Sequence, residues 1–296
     1  MCHRFFLKPK FVAGGYLKVE TLIPIGKLDP GVRAAEMELD LSRIPEESLL
    51  AEKIHYDTLL MEETKFDPFQ CLALAATNTK NIKIGTSVAI AFARSPFLLA
   101  QSAWSLQAIS NGRLVLGIGS QVRGHIQRRY GLSWHPPGQW MRDYVGALRA
   151  LWTGWQNKTD INFSSQHYNL NLNVPLFTPS PIKFPEIPIH VAAVNPYMCK
   201  VASEVADGVR LHPVCSARFI EESLIPSMIK ERKKGFEVCL KPLIAVGDRN
   251  EDLDIRRELV RERLAFYCST PSYSAPFESL GLGDLCREMA NLSKKS

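Results

Sequence analysis

The chain has 296 residues, of which 46% are hydrophobic and 22% are charged, and its formal net charge is +6. This composition excludes disorder for most of the chain, and no run approaches the roughly 18 consecutive apolar residues that cross a membrane. Nucleic-acid binding would need a concentrated basic surface or a known motif, and the sequence has neither. We therefore expect a globular enzyme that acts on a small molecule, with no nucleic-acid or membrane partner.

The seven cysteines stand singly, without a C-x-x-C pair or a pair of histidines nearby. An odd, scattered set in a long chain is typical of buried free thiols in a reducing compartment. We therefore predict a cytoplasmic protein with no metal site.

The first sixteen residues carry no acidic side chain, and Lys8-Pro9-Lys10 interrupts any apolar run. Such a segment is not a secretory signal, although a transit peptide remains an alternative. The sequence predicts a disordered extension over residues 1–16 and a single domain over residues 17–296.

Short apolar runs alternate with longer segments of helical periodicity from Leu17 onward. Continuous apolar runs are typical of strands buried on both faces, and their alternation with helices favours an α/β fold with a parallel sheet, open or closed. The predicted strands are Leu17–Ile23, Thr58–Met61, Ile82–Phe92, Leu114–Ile118, Ile187–Ala192, Val209–Leu211 and Leu243–Val246.

Three of the predicted loops place a capping side chain directly before a proline: Asp67-Pro68, Ser95-Pro96 and Asn195-Pro196. The side chain satisfies a free N–H of the first turn, and proline at the first helical position loses no hydrogen bond. Each pair predicts a helix that starts at the carboxyl end of a strand, where α/β folds build their sites.

Residues 156–186 interrupt the alternation and are rich in Asn, Pro and Ser. Phe163 to Leu170 could form a hairpin, and the five prolines of Pro175–Pro188 exclude a regular helix. This excursion is either a lid over a barrel mouth or a surface loop.

Two strand ends carry charged side chains that could bind a ligand or take part in catalysis. Glu62 and Glu63 follow the Thr58–Met61 run, and since neighbouring side chains alternate in direction, one of them would orient a substrate or cofactor. An ion pair with Lys65 is the alternative. Arg94, after the small-residue run that begins at Gly85, suits an anionic group or an ion pair.

Two later segments are candidates for ligand contact. Gly117-Ile118-Gly119 lets the backbone approach a ligand, but Val122 occupies the third glycine position of a dinucleotide fingerprint. His212 ends the Val209–Leu211 run and is either structural or catalytic. A basic group is either an anion site or a solvated helix face; it comprises Arg123, His125, Arg128 and Arg129.

In this order, the segments EETKFDPF, IGTSVAIAFARSP, SNGRLVLGIGSQ and ASEVADG resemble the bacterial luciferase-like superfamily. The string from AFARSP through GSQVRGHIQRRYG is similar to a subgroup of oxidoreductases that use the deazaflavin coenzyme F-420. The resemblance implies a (β/α)8 TIM barrel. It also implies hydride transfer between F-420 (favoured) or FMN and a small organic substrate, and it suggests a homodimer.

The resemblance further implies where the cofactor lies. Its ring would lie over the third strand, where a non-prolyl cis peptide falls near Ala89-Ile90-Ala91, and its phosphate on two loops. Glu63 or His212 would tune the ring or relay protons. The implied cofactor-binding residues are Ser87, Ala89, Ile90, Ala91, Gly119, Ser120, Ala193, Val194 and Asn195.

Two departures from the family pattern qualify these expectations. His55 stands where the family has a glycine in a turn, so a positive φ there would carry a modest cost. Only seven strands are predicted, so the barrel looks truncated before its eighth strand. The alternatives are an FMN-dependent monooxygenase, a non-catalytic flavin-binding barrel, and a hydrolase built on Glu62 or Glu63.

Overall fold

The computed structural model describes residues 11–12, 15–24, 40–230 and 232–293. Its strands are β1 Phe11–Val12, β2 Gly15–Tyr16, β3 Glu20–Leu22, β4 Thr58–Met61, β5 Lys83–Thr86, β6 Ala89–Ile90, β7 Leu114–Gly119, β8 Phe163–Ser164, β9 Asn169–Leu170, β10 Ile189–Ala193, β11 Gly208–Leu211 and β12 Glu237–Leu240.

The described helices run between and after these strands. They are α1 Ile44–Lys53, α2 Pro68–Asn78, α3 Pro96–Ile109, α4 Arg123–Arg128, α5 Pro137–Asn157, α6 Pro196–Val205, α7 Ala217–Phe219, α8 Ile225–Ser227, α9 Asn250–Cys268, α10 Ser274–Glu278 and α11 Gly283–Ser293. Short 3-10 turns occur at Leu41–Arg43, Pro175–Phe177 and Pro271–Tyr273, and a π turn at Ile220–Leu224. Within the described ranges, no helix is both long enough and apolar enough to cross a membrane.

By its internal contacts the chain divides into two compact units. The first unit contains the described residues up to 24 together with 40–121 and 143–189. The second unit contains 122–142 and the described residues from 190 onward.

The first unit is built on a parallel sheet. β3 pairs with β4, β4 with β5, and β5 with β7, all in parallel, and β6 extends the pairing of β7. Every residue of β4 and β7 is buried, as expected for strands covered on both faces. The carboxyl ends of these strands therefore share one edge of the first unit.

In the second unit, β11 pairs in parallel with both β10 and β12. β12 is not the strand that the sequence predicted. Leu243–Val246 has no regular structure, and Ile244 and Val246 are 66% and 70% exposed. The correct strand was missed because it begins with the charged Glu237 and contains only three apolar residues. In the described part of the chain after Leu240, the regular elements are helices and turns.

The three predicted cap-and-proline helix starts are confirmed. Asp67 accepts hydrogen bonds from the N–H groups of Phe69 and Gln70. Ser95 and Asn195 do the same for the third residue of α3 and of α6, respectively. The prolines that follow occupy the first helical position, where a missing N–H has no cost.

The predicted excursion contains the expected hairpin, since β8 pairs antiparallel with β9 and Phe163 lies opposite Leu170. The single-domain prediction, with its disordered residues 1–16, stays a prediction. Within that segment β1 pairs with β2, whereas residues 1–10 and 13–14 lie outside the described residues.

The proline-rich part of the excursion is tied to helix α3. Trp104 donates to the carbonyl of Ser180, and the buried Gln107 amide donates to the carbonyls of Phe184 and Glu186. Both side chains lie in the carboxyl half of α3, and Phe184 also packs on Gly112, in the turn before β7. This stretch therefore runs near the amino end of β7, and not over its carboxyl end as a lid would.

Candidate functional site

A non-prolyl cis peptide joins Ser87 to Val88, directly after β5. The resemblance placed it near Ala89-Ile90-Ala91, so its position is corrected by two residues. The Ser87 N–H donates to the carbonyl of Met61 at 2.9 Å, which holds this segment on the end of β4.

Exposure differs sharply along the predicted ring-binding segment. Ala89 and Ala91 are fully buried and Ile90 is 4% exposed. These residues lie in or next to β6, which pairs with β7. Ser87 and Val88 are only half-buried. Among the residues predicted here, Ser87 presents surface to a ligand, and Val88 is a neighbour that the sequence analysis missed.

The Glu63 side chain fixes the segment Ser87–Ala91 through a hydrogen bond to its backbone. One carboxylate oxygen accepts the Ile90 N–H at 2.7 Å, and the other accepts from the Arg94 guanidinium at 2.8 Å. Glu63 therefore pairs with Arg94 and not with Lys65, the partner considered from the sequence. One Glu63 oxygen thus fixes the backbone after the cis peptide, and the other is engaged by the Arg94 side chain.

Arg94 also contacts Asp67 at 2.9 Å, so one guanidinium joins two carboxylates. Burial favours the neutral form of Arg94, but the hydrogen bonds and charges of Glu63 and Asp67 outweigh burial and raise its pKa above the ordinary value. Arg94 is thus an ion-pair residue, the second of the two roles that the sequence left open.

The end of β7 lies beside the same segment. The Gly119 carbonyl accepts the Ala91 N–H at 2.9 Å. Ser120 and Gln121 are half-buried, and Gln121 has a φ of 56°. Within the first unit the structure thus brings together Glu63, Ala89–Ala91 and Gly119.

In the second unit, β10 ends at the buried Ala193 and is followed by the half-buried Val194 and Asn195. The Asn195 side-chain oxygen accepts the Met198 N–H at 2.9 Å, which caps α6. Free N–H groups at a helix start favour anions. The phosphate role of these residues stays a prediction.

His212 lies next to Ala193, whose carbonyl accepts its N–H at 3.2 Å. Its ring stacks on Tyr273 at a centroid distance of 4.3 Å and meets the edge of Tyr267 at 4.6 Å. Burial, helped by the charges of Lys241 and Arg263, lowers the pKa of His212 to about 4. The imidazole is therefore neutral at pH 7 and a weak base, and its catalytic role stays a prediction.

The basic group on and after α4 retains both of its interpretations. Arg123 donates to Gln127, and Arg128 and Arg129 are exposed. Burial lowers the pKa of His125, and the charges of Arg129 and Arg128 lower it further. The group presents arginine charge to solvent.

Comparison with known proteins assigns the chain to a family. The family model described as luciferase-like monooxygenase matches residues 23–288. The chain belongs to the luciferase-like monooxygenase family. An uncharacterised protein of Mycobacterium tuberculosis is 37% identical over 260 residues, covering 86% of this chain and 76% of that protein.

Solved structures show the same fold at low sequence identity. The coenzyme F-420-dependent tetrahydromethanopterin reductase of Methanopyrus kandleri has a TM-score of 0.63 and 17% identity, covering 85% of this chain and 71% of its own. The EDTA monooxygenase of Chelativorans sp. BNC1 has a TM-score of 0.67 and 15% identity, covering 83% and 66%. The predicted α/β fold of the TIM-barrel type is confirmed. The family to which the chain belongs consists of oxidoreductases and monooxygenases.

Proposed function

We propose that this luciferase-like protein is an oxidoreductase that binds coenzyme F-420 and exchanges hydride with a small organic substrate. The observation that carries the proposal is the half-buried segment Ser87–Val88 at the carboxyl end of β5, which continues into a strand fixed by the hydrogen bond from the Ile90 N–H to Glu63. Carboxyl ends of strands are where barrel enzymes bind their ligands. The similarity of the string from AFARSP through GSQVRGHIQRRYG to an F-420-dependent subgroup supports F-420 over FMN.

The residues at this edge fit the flat ring of such a cofactor. Ser87 and Val88 are small and partly accessible, and the segment behind them is buried and fixed by hydrogen bonds. Ser120 and Gln121, which follow β7, are also half-buried. These four residues of the first unit would contact the cofactor.

A bound deazaflavin supplies the hydride chemistry, and the protein supplies position. Glu63 is a positioning residue, because its two oxygens hold the Ile90 N–H and Arg94. The ion pair keeps the Glu63 carboxylate aligned with the backbone, so the ring-binding segment stays in one conformation.

Binding of the cofactor is the first test. The wild-type protein is titrated separately with F-420 and with FMN while cofactor fluorescence is followed. The proposal predicts saturable binding of F-420. Saturation with FMN alone would favour a monooxygenase of the same family, and binding of neither would contradict the proposed function. We also expect a homodimer, which light scattering during gel filtration measures directly.

A further inference from the structure

His190, Glu237 and Cys239 form a cluster in the second unit, away from the carboxyl ends of the strands. The Cys239 sulfur lies 3.7 Å from Nδ1 of His190, and a Glu237 oxygen lies 3.6 Å from Nε2. One donor atom from each residue falls within 4.8 Å of the other two. The thiol and the carboxylate thus lie beside the two nitrogens of the same imidazole.

The sheet register explains why these three side chains meet. His190 lies opposite Gly208 on β11, and Gly208 lies opposite Glu237 on β12. A Cβ on Gly208 would lie 2.8 Å from Cδ2 and Nε2 of His190. The glycine therefore leaves the space that the imidazole occupies across β11.

The strand period completes the set. Cys239 lies two residues beyond Glu237, so both side chains leave β12 on the same face. His190 is 2% exposed, whereas Glu237 and Cys239 are half-buried. The cluster thus has one rigid member and two that retain some freedom to adjust.

We propose that these three residues form a zinc site with a water molecule as the fourth ligand. Thiolate, imidazole and carboxylate are the ligands that Zn²⁺ takes, and ligands of a tetrahedral site lie roughly 3.5 Å apart. The distance between the Cys239 sulfur and the His190 nitrogen agrees with such an edge. His190 would supply Nδ1, the nitrogen beside the Cys239 sulfur, and the Glu237 carboxylate, which lies at Nε2, would turn to the same ion.

The charges around the cluster suit a divalent cation. Cys239 as thiolate and Glu237 as carboxylate together balance Zn²⁺. The ion would tie β12 to β10 across β11, near the amino ends of the strands.

The sequence predicted no metal site because the cysteines stand singly, without a C-x-x-C pair or a pair of histidines nearby. Glu237-Val238-Cys239 is a short pair, but the third donor comes from β10, which only the sheet register places beside it. The proposal is independent of the cofactor, so its failure leaves the proposed function untouched.

Cobalt tests the site, because Co²⁺ replaces Zn²⁺ and a Co²⁺–thiolate bond gives a charge-transfer band in the near ultraviolet. Chelator-treated wild-type protein is titrated with Co²⁺ and then with Zn²⁺. We expect a band that saturates at one equivalent and disappears as Zn²⁺ displaces Co²⁺. We also expect the melting temperature to rise with Zn²⁺ concentration.

Variants identify the ligands. Cys239→Ser should abolish the band, Glu237→Gln should weaken Co²⁺ binding at least tenfold, and the control Cys71→Ala, which removes a buried thiol of the first unit, should leave the band unchanged. A natively folded wild-type protein without the band, or a band that survives in Cys239→Ser, overturns the proposal. If Cys239→Ser does not fold, unchanged affinity in Glu237→Gln overturns it instead.

Discussion

The carboxylate of Glu63 accepts the backbone N–H of Ile90 at 2.7 Å, which links the end of β4 to the strand segment after the cis peptide. The Glu63 side chain is 14% exposed, and Arg94 holds its second oxygen. A hydrogen bond to a charged group contributes about 1.5–3 kcal/mol. Glu63 thus stabilises the edge on which the proposed cofactor would lie.

We expect Glu63→Gln to lower the free energy of unfolding by about 1–3 kcal/mol, because the amide cannot serve both Ile90 and Arg94 as a carboxylate does. Urea unfolding followed by circular dichroism measures this loss. Asp67→Asn is the control: its ion pair is more exposed and asparagine also caps helices, so the expected loss is below about 1 kcal/mol. Equal stability of Glu63→Gln and wild type would contradict the role assigned to Glu63.

His55 has a φ of 64° and is exposed, as the departure from the family glycine suggested. A side chain in this conformation costs roughly 1 kcal/mol. We therefore expect His55→Gly to raise the free energy of unfolding by about 0.5–1 kcal/mol.

Asn111 provides the comparison for His55. It is also exposed, with a φ of 54°, but asparagine tolerates the left-handed region. Asn111→Gly should therefore gain less than His55→Gly in the same urea experiment. A loss of stability in His55→Gly would show that the histidine contributes a contact that outweighs the strain.

His212 should make stability depend on pH. Its pKa is lowered to about 4 by burial and by the charges of Lys241 and Arg263, so the unfolded chain binds a proton that the folded chain does not. Stability is full above pH 6.5 and falls as the pH drops from 6.5 toward 4, by up to about 3 kcal/mol.

His212→Phe tests this dependence, because phenylalanine keeps the stacking on Tyr273 but cannot bind a proton. Urea unfolding at pH 7 and at pH 5 should show a smaller difference for the variant than for the wild type. Identical differences would mean that His212 does not change its protonation state on unfolding in this range.

Gln107 fastens the proline-rich stretch to α3 and to β7. Besides its two bonds to Phe184 and Glu186, its side-chain oxygen accepts the Leu114 N–H at 3.0 Å. Gln107→Leu leaves buried backbone groups unpaired, so we expect a loss of at least about 2 kcal/mol in the free energy of unfolding.

Gln101→Leu makes the same substitution on the same helix at a half-buried position. It should change the free energy of unfolding by no more than about 0.5 kcal/mol. Urea unfolding of both variants decides the point. A matching loss at the two positions would show that the hydrogen bonds of Gln107 contribute nothing specific.

Asn195 tests the predicted phosphate loop. Aspartate caps α6 as well as asparagine does, so Asn195→Asp should fold normally while it brings a negative charge to the helix start. We expect F-420 affinity to fall at least tenfold in a fluorescence titration. Asn250→Asp adds the same charge at the start of α9 and should leave affinity unchanged. Unaltered affinity in Asn195→Asp would mean that the phosphate lies elsewhere.

Local signals predicted much of the fold. The continuous apolar runs located β4 and β7 because these strands are buried on both faces, and the cap-and-proline pairs located the starts of α2, α3 and α6. The prediction for β12 fell on the wrong residues because the strand begins with the charged Glu237 and contains only three apolar residues.

The contacts within the candidate site join residues that are far apart in the chain, and no local sequence pattern predicts such contacts. Glu63 and Arg94 both stood out in the sequence, but their pairing depends on how β4 and β6 lie in the sheet. The Ile90 N–H is a backbone donor and leaves no trace in the residue types. The same holds for the burial of Ala89 and Ala91, which follows from the pairing with β7.

The cofactor is the central claim, and competition tests it most directly. The wild-type protein is dialysed to equilibrium against equal concentrations of F-420 and FMN, and the absorbance spectrum of the bound fraction is recorded. The account predicts that the protein retains F-420 in preference to FMN. A bound fraction that contains only FMN, or no cofactor at all, would contradict it.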